Sequence, residues 1–322
     1  MGTMTETVNE TTSRKERRGH EYHAEANLLS GHLKRPIVQN IPEQAPLSLR
    51  DWRGGHLYQR SQGYDLEGLI SYKSGYTRVS GYRSLKKHEA FVTMATSVIE
   101  GLNVFDVLTA DRVVAQVSTE HVPNGADLGH VPRVTFLGTQ FVNLKISGYD
   151  VVATLNPEVC GERPADDVPY LYNDTFLATA KTQAEKIEKF KDIPKELEER
   201  SDEFRKEYGA ELSEIERLEK LVGSTDGDSK DGKLVCSLVD NIFLPKPIPG
   251  VKVVENVMYI RDFGILSLGS VEVGRKEEGV DADGKPQMSN YFAVKMFDMR
   301  LGCVGEGTVV AATGKGNGTL KP

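Results

Sequence analysis

The sequence predicts a mainly β protein: an antiparallel sandwich, barrel or β-solenoid that is interrupted by a helical hairpin or coiled-coil insertion. Segments in which apolar and polar residues alternate lie on both sides of the centre of the chain, as half-buried antiparallel strands require. Between them, residues 173–222 contain almost no Gly or Pro and carry apolar residues three and four positions apart, as an amphipathic helix does. We therefore divide the chain into an N-terminal tail and extended arm (1–65), the first part of a β body (66–172), the helical insertion (173–222) and the second part of the β body (223–322).

The composition limits the class of protein. The chain has 322 residues, of which 39% are hydrophobic and 27% charged, and this is enough apolar material to exclude a wholly disordered chain. A net charge of −7 argues against a dedicated nucleic-acid-binding protein. No apolar run approaches the roughly 20 residues of a transmembrane helix. Cys160, Cys236 and Cys303 are too few and too far apart for a disulfide scaffold or a CxxC metal knuckle.

The N-terminal part is predicted to be a solvated tail followed by an extended arm. Residues 1–27 are polar and lack the apolar stretch of a secretory signal, which predicts a cytoplasmic location. Pro36, Pro42 and Pro46 recur too closely for a helix. Trp52, the only tryptophan, would anchor this arm onto the body, with a ligand platform as the alternative, and we take it as an interaction residue.

Strands are indicated by alternation at Val113–Val117 and Val142–Ile146, and further strands are predicted at 252–260, 262–273, 290–301 and 307–313. The apolar phase slips by one residue at Met296 and Phe297. A slip of this kind turns the following side chains to the other face, so we predict a β-bulge there.

The helical insertion carries a narrow apolar stripe. Pro194 either kinks one long helix or opens a second one; we favour two helices, which fold as a hairpin or continue end to end. The charged face is explained by solvation alone, whereas the stripe is narrow enough for a coiled-coil partner surface. On the second interpretation the interaction residues include Leu197, Phe204, Leu212 and Ile215.

Two segments of the β body resemble a known family. Leu108–Val117 (LTADRVVAQV) and Gly138–Val151 (GTQFVNLKISGYDV) are similar to bacterial choice-of-anchor-type β domains. The resemblance implies an all-β body of a surface or extracellular type, which is the alternative to the cytoplasmic location. It implies no chemistry and supplies no catalytic residues.

Metal sites are suggested by two groups of residues. Asp226, Asp228 and Asp231 lie on a Gly-rich turn, as calcium ligands would. Their spacing does not match that of the ligands in an EF-hand loop, however, and a solvated loop is the simpler interpretation. His20 and His23 are three residues apart and would share a face if this segment were helical. No other cofactor is expected.

Two functions remain. The first is a non-enzymatic structural protein that self-associates, through its arm and helical insertion, as a homo-oligomer or polymer. The second is a polysaccharide-binding or hydrolytic module that stacks sugar rings on exposed tyrosines; the candidates are Tyr58, Tyr64, Tyr72, Tyr76 and Tyr82. The nearest match to a serine nucleophile elbow, Gly264–Gly269, is one residue too long. An enzyme is therefore unsupported, and a non-enzymatic protein is favoured.

Overall fold

The computed structural model describes residues 19–84, 90–124, 127–128, 131–164, 168–220, 232–280, 286–302 and 305–321. The strands, in chain order, are β1 (Gly19–Arg35), β2 (Gln39–Ile41), β3 (Leu47–Asp51), β4 (Gly55–Ser61), β5 (Tyr64–Leu66), β6 (Ile70–Tyr72), β7 (Ser74–Arg83), β8 (Phe91–Val104), β9 (Leu108–His121), β10 (Pro123–Asn124), β11 (Asp127–Leu128), β12 (Arg133–Thr135), β13 (Gln140–Val142), β14 (Lys145–Ile146), β15 (Tyr149–Asp150), β16 (Val152–Leu155), β17 (Gly232–Ser237), β18 (Val239–Phe243), β19 (Val251–Val254), β20 (Val257–Ile260), β21 (Gly264–Val280), β22 (Pro286–Leu301) and β23 (Glu306–Lys321). The α-helices are α1 (Asp174–Lys189) and α2 (Glu198–Glu219), and short 3₁₀ turns cover Tyr170–Tyr172 and Lys195–Leu197.

The strands form two large antiparallel sheets. Sheet A has nine strands in the order β19-β20-β21-β22-β23-β1-β2, with β17 paired to β21 and β3 paired to β1. Sheet B has ten strands and follows β15-β14-β9-β8-β6-β5, with β12 and β13 paired to β9, β7 to β8 and β4 to β7. Two small sheets pair β10 with β11 and β16 with β18.

The two sheets lie face to face around one hydrophobic core. Leu28 of β1, Val117 of β9 and Val294 of β22 are fully buried members of this core. The Ser97 hydroxyl of β8 donates a hydrogen bond to the Thr313 carbonyl of β23 at 2.5 Å, which joins the sheets directly. The predicted mainly β fold with a helical insertion is confirmed, and of the three predicted architectures the sandwich is the one formed.

The predicted tail and arm are wrong from Gly19 onward, because these residues form a central strand. β1 pairs with β23 along nearly its whole length, and on its other side it pairs with β2 and β3. Tyr22, Ala24, Ala26 and Leu28 alternate inward and are buried. The first and last described strands therefore lie side by side in sheet A, and the arm is part of the body.

The predicted phase slip occurs, but the predicted bulge is wrong. Met296 and Phe297 are both buried, while the residues on either side of Met296 pair with β21 and β23 in unbroken register. The two neighbouring strands also change phase at the positions next to Met296, where Gly269 of β21 and Ala312 of β23 have positive φ values of 59° and 50°. Because all three strands change phase together, no strand needs an extra residue.

The helical insertion is an antiparallel hairpin that lies against sheet A. Lys181 in the first half of α1 contacts the Glu219 carboxylate at the end of α2 at 2.9 Å. Leu197 and Phe204 pack with residues of β20 and β21, and the Phe204 ring meets the Tyr259 ring edge-on with centroids 6.4 Å apart. The prediction of two helices is confirmed. No helix within the described ranges is long and apolar enough to cross a membrane.

Candidate interaction surfaces

The edge strand β4 is exposed along almost its whole length. Each of its residues pairs with β7, and no other described strand pairs with it. Its first six residues are exposed, with Leu57 at 39% and Tyr58 at 55% of their full accessible surface. An edge of this kind presents unpaired N–H and C=O groups, and β4 contains neither Pro nor Lys, which commonly protect such edges.

Three of the five candidate tyrosines lie on the outer face of sheet B. Tyr76 and Tyr82 alternate with buried residues of β7, and Tyr58 pairs with Arg78 on the same face. The Tyr58 and Tyr76 rings are 5.5 Å apart, and Tyr82 is 51% exposed. This outer face, defined by Tyr58, Tyr76 and Tyr82, is called the tyrosine face below.

The other two candidate tyrosines are not part of the tyrosine face. Tyr64 and Tyr72 stack on each other with ring centroids 6.1 Å apart. Tyr72 is buried, and its hydroxyl lies 2.8 Å from the Ser61 hydroxyl. These two residues support the sheet, as cross-strand aromatic pairs do.

Trp52 does not anchor an arm. It lies in the turn that leads from β3 in sheet A to β4 in sheet B, and 68% of its surface is exposed. The Arg53 guanidinium lies 4.7 Å from the ring centroid, and the Arg53 backbone N–H donates to Asp51 Oδ1 at 2.6 Å. The predicted anchoring is wrong, and Trp52 remains an exposed aromatic residue immediately before the edge strand.

The predicted partner surface of the helices is also wrong. Leu197, Phe204 and Ile215 are buried within the chain, and Leu212 is half-buried. The apolar stripe is real, but sheet A of the same chain covers it. Leu197, Phe204 and Ile215 therefore stabilise the fold and are not accessible to a second molecule, whereas Leu212 stays partly exposed.

The predicted metal ligands do not form a described site. Asp226, Asp228 and Asp231 lie outside the described residues, so calcium binding there stays a prediction. His20 and His23 lie on opposite faces of β1, because side chains three apart on a strand point in opposite directions. Within the described ranges, no group of three or more His, Cys, Asp or Glu side chains is placed to hold a metal ion.

The two histidines of β1 have different environments. His20 is buried between the sheets, where its ring stacks on Phe91 with centroids 4.8 Å apart and lies 4.7 Å from His121. Burial lowers the pKa of His20 to about 4. His23 lies on the other face and contacts Glu25 Oε1 at 2.8 Å. That hydrogen bond is the main reason that the pKa of Glu25 falls to about 2.

A basic groove crosses the outer face of sheet A, and sequence reasoning missed it. It has a volume of about 540 Å³ and adjoins a second cavity of about 630 Å³, with which it shares Ala293, Lys295 and Lys315. The groove is lined by Gly232, Lys233, Glu272, Arg275, Lys276, Tyr291, Ala293, Lys295 and Lys315. These side chains come from β17, β21, β22 and β23, so no local sequence pattern brings them together.

A smaller cavity of about 230 Å³ lies between α2 and sheet A. Glu211 of α2 accepts a hydrogen bond from the Val235 backbone N–H of β17, and burial raises the pKa of Glu211 to about 7. One turn earlier, the Glu207 carboxylate accepts two hydrogen bonds from the Arg300 guanidinium at 2.8 and 2.5 Å. These contacts attach the helix to the sheet.

The described cysteines are poor nucleophiles. Cys160 and Cys236 are both buried and free, and burial raises the pKa of each thiol. Cys303 lies outside the described residues.

These features define a β-sandwich protein that carries a helical hairpin on one sheet, an exposed edge strand and a basic groove. Residues 20–274 match the model of a domain of unknown function, DUF8256, and the chain belongs to this family. The matched region extends from β1 into β21 and includes the edge strand and both helices. No curated protein and no solved structure matches the chain significantly. The resemblance to choice-of-anchor-type domains stays a prediction.

Proposed function

We propose that the protein is a non-enzymatic structural protein that self-associates, and that the edge strand β4 is the contact. The observation that carries this proposal is a strand of seven residues that, among the described strands, is paired on one side only and is exposed at six positions. The arm and the helical stripe, which the sequence suggested for this role, are occupied within the chain. β4 replaces them as the surface through which copies would meet.

Two copies would pair antiparallel along β4 and join their B sheets. Such a contact is isologous, since the same strand serves on both copies and a twofold axis relates them. In the register centred on Tyr58, the two Tyr58 rings face each other across the axis. His56 then lies opposite Arg60 of the second copy. Backbone hydrogen bonds would supply the stability, and the exposed rings would cover one face of the new ladder.

The test is the mass of the Tyr58→Lys variant, measured by size-exclusion chromatography with light scattering. A lysine at this position removes the Tyr58 ring from the paired ladder and introduces the side chain that commonly protects exposed sheet edges, so the effect does not depend on charge repulsion alone. The matched control is Tyr82→Lys, the same change at a similarly exposed residue of β7, which pairs with Val92 of β8 and lies outside the edge strand β4. Salt of about 0.5 M keeps the screening length below about 5 Å and removes weak charge contacts.

We expect wild type and Tyr82→Lys to be dimers at tens of micromolar and Tyr58→Lys to be a monomer. A monodisperse wild-type monomer at that concentration contradicts the proposal. A dimeric Tyr58→Lys variant with unchanged circular dichroism contradicts the role of β4.

The tyrosine face favours polysaccharide binding as a second candidate function. Exposed rings on one flat face of a sheet are suited to stacking against sugar rings, and Arg78 lies between Tyr76 and Tyr82 on the same strand. Tyr82→Ala should abolish glycan-array signals and any stabilisation by glycans against thermal unfolding, while leaving the dimer intact. A wild-type protein without any array signal excludes this function.

A further inference from the structure

The small cavity between α2 and sheet A contains one carboxylate without a cationic partner. Its lining includes three basic side chains, and each is paired with an acidic one; the pairs are Arg300 with Glu207 at 2.8 Å, Lys233 with Glu272 at 3.7 Å and Lys295 with Asp298 at 3.4 Å. Glu211 is the remaining acidic residue of the lining, and no cation among the described residues lies within ion-pair distance of it. When Glu211 is ionised, the lining therefore carries one uncompensated negative charge.

The surroundings of Glu211 do not compensate this charge. Burial is the main reason that the pKa of Glu211 rises to about 7. The hydrogen bond that its carboxylate accepts from Val235 comes from a neutral backbone N–H. Of the charged neighbours, Lys233 lowers this pKa and Glu272 raises it, and these two residues form a pair with each other. Burial also raises the pKa of Tyr208, so its phenol stays uncharged.

Two serine hydroxyls line the same cavity. Ser267 and Ser270 of β21 are only 6% and 9% exposed, and neither hydroxyl has a hydrogen-bond partner in the described part of the chain. They face the same side of sheet A, because they pair with Asp298 and Lys295 of β22, which also line the cavity. A buried hydroxyl without a partner costs free energy, so this site favours a ligand with a hydrogen-bonding group of its own.

The carboxylate and the serine hydroxyls belong to different strands. Glu211 binds the backbone of β17, whereas the serines belong to β21, which pairs with β17. Neighbouring strands are about 4.8 Å apart, so a ligand must span at least this distance to reach both groups. The Phe204 and Tyr208 rings lie between them as an aromatic wall, with centroids 5.0 Å apart. The cavity volume of about 230 Å³ limits the ligand to a small molecule.

We propose that this cavity binds a small amino alcohol, with its ammonium group on the Glu211 carboxylate and its hydroxyl group on the serines of β21. An ammonium group donates three hydrogen bonds and carries the charge that the lining lacks. A hydroxyl group donates and accepts, as the serine hydroxyls do. About four carbon atoms between the two groups span the distance between the strands and pack against the aromatic wall. This binding site is a function beyond self-association and does not depend on the β4 contact.

The test compares three compounds with the same carbon chain. The compound 4-amino-1-butanol carries both groups, n-butylamine lacks the hydroxyl group, and 1,4-butanediol lacks the ammonium group. The thermal unfolding midpoint is measured at pH 8 in phosphate and at pH 5 in acetate, with NaCl at equal ionic strength as the salt control. Alkylammonium groups stay charged at both pH values, as Lys does with a pKa of about 10.4. Ligands this small bind weakly, so the titrations extend to about 100 mM and give the apparent Kd.

At pH 8, 4-amino-1-butanol should raise the unfolding midpoint more than n-butylamine does, whereas 1,4-butanediol and NaCl should not raise it. With a pKa of about 7, Glu211 is about 90% ionised at pH 8 and about 1% ionised at pH 5. The apparent Kd of 4-amino-1-butanol should therefore be roughly 90-fold higher at pH 5, because only the ionised carboxylate binds the ammonium group.

Three variants distinguish the two ends of the site. Glu211→Gln should abolish the stabilisation by both amines. Ser267→Ala with Ser270→Ala should leave the effect of n-butylamine unchanged and reduce that of 4-amino-1-butanol to the same size. The matched control is Glu214→Gln, the same change on the same helix at a residue that binds Arg217 and lies outside the cavity lining. This control should respond to 4-amino-1-butanol as wild type does.

Four results contradict this inference. The first is a wild-type midpoint at pH 8 that 4-amino-1-butanol does not raise. The second is an equal rise with 1,4-butanediol or NaCl, since the site would then not recognise an ammonium group. The third is a Glu211→Gln variant that responds as wild type does, and the fourth is a serine variant that still distinguishes the two amines. The particle mass of the same samples tests the β4 contact, so a failure of self-association can be distinguished from a failure of binding.

Discussion

Replacing Glu211 by Gln should stabilise the protein above pH 7 and leave its stability nearly unchanged near pH 4.5. Burial raises the pKa of Glu211 from an ordinary value of 4.5 to about 7 in the folded chain. Between these two pH values the folded state holds a proton that the unfolded state has lost. The free energy of unfolding therefore falls as the pH rises through this window, and the full penalty remains above it.

The size of the effect follows from the shift. A difference of about 2.5 pKa units corresponds to roughly 3 kcal/mol at 25 °C, as an upper estimate. Gln is nearly isosteric with Glu and keeps the oxygen that accepts the Val235 backbone N–H. We therefore expect Glu211→Gln to gain up to about 3 kcal/mol at pH 8 relative to wild type.

Urea denaturation at pH 5 and pH 8 measures this difference without adding salt. Glu207→Gln is the matched control, because Glu207 lies one turn away on α2 and its two hydrogen bonds from Arg300 lower its pKa. That variant should be destabilised at both pH values. A Glu211→Gln variant that shows the same difference from wild type at pH 5 and pH 8 refutes the account of this cavity.

Three further predictions concern the core. Burial lowers the pKa of His20 to about 4, so the free energy of unfolding should fall by up to about 3 kcal/mol as the pH drops from about 6.5 to 4. In urea titrations, His20→Leu should not show this part of the pH dependence. A variant with the same pH profile as wild type contradicts the prediction. Phe204→Ala should lower the free energy of unfolding, measured by urea denaturation, by about 3–5 kcal/mol and leave the particle mass unchanged. A smaller particle mass at unchanged stability would instead support the interpretation of this stripe as a partner surface. Cys160 and Cys236 should react with an exposed-thiol reagent only when the protein unfolds, and stoichiometric labelling of either thiol in the native state would show that its burial is wrong.

Local patterns predicted the strands and helices that bury one face. Val113–Val117 lies in β9, and the predicted strands at 290–301 and 307–313 lie within β22 and β23. The segment Val142–Ile146 is interrupted instead, because Asn143 has a φ of 50° and separates β13 from β14. Alternation shows that a side chain is buried, but it does not reveal a turn of this kind.

Contacts between segments that are distant along the chain could not be predicted from local sequence patterns. The residues of β1 give only a faint apolar pattern, because Ala24 and Ala26 are small, and the partner strand β23 lies at the other end of the chain, so the sequence predicts an arm where a central strand forms. The stripe of Leu197 and Phe204 indicated a covered helix face, but not that sheet A of the same chain covers it. The basic groove needed four separate strands to be placed side by side.

Hydrogen–deuterium exchange of the β4 amides as a function of protein concentration tests the central claim most directly. In the monomer, the amides of Gly55–Ser61 that point away from β7 are exposed to water and should exchange quickly. Self-association through this edge should slow their exchange as the concentration rises, while exchange in β8 and β9 stays unchanged. Exchange rates in β4 that stay constant over the range in which the particle mass increases would contradict the account.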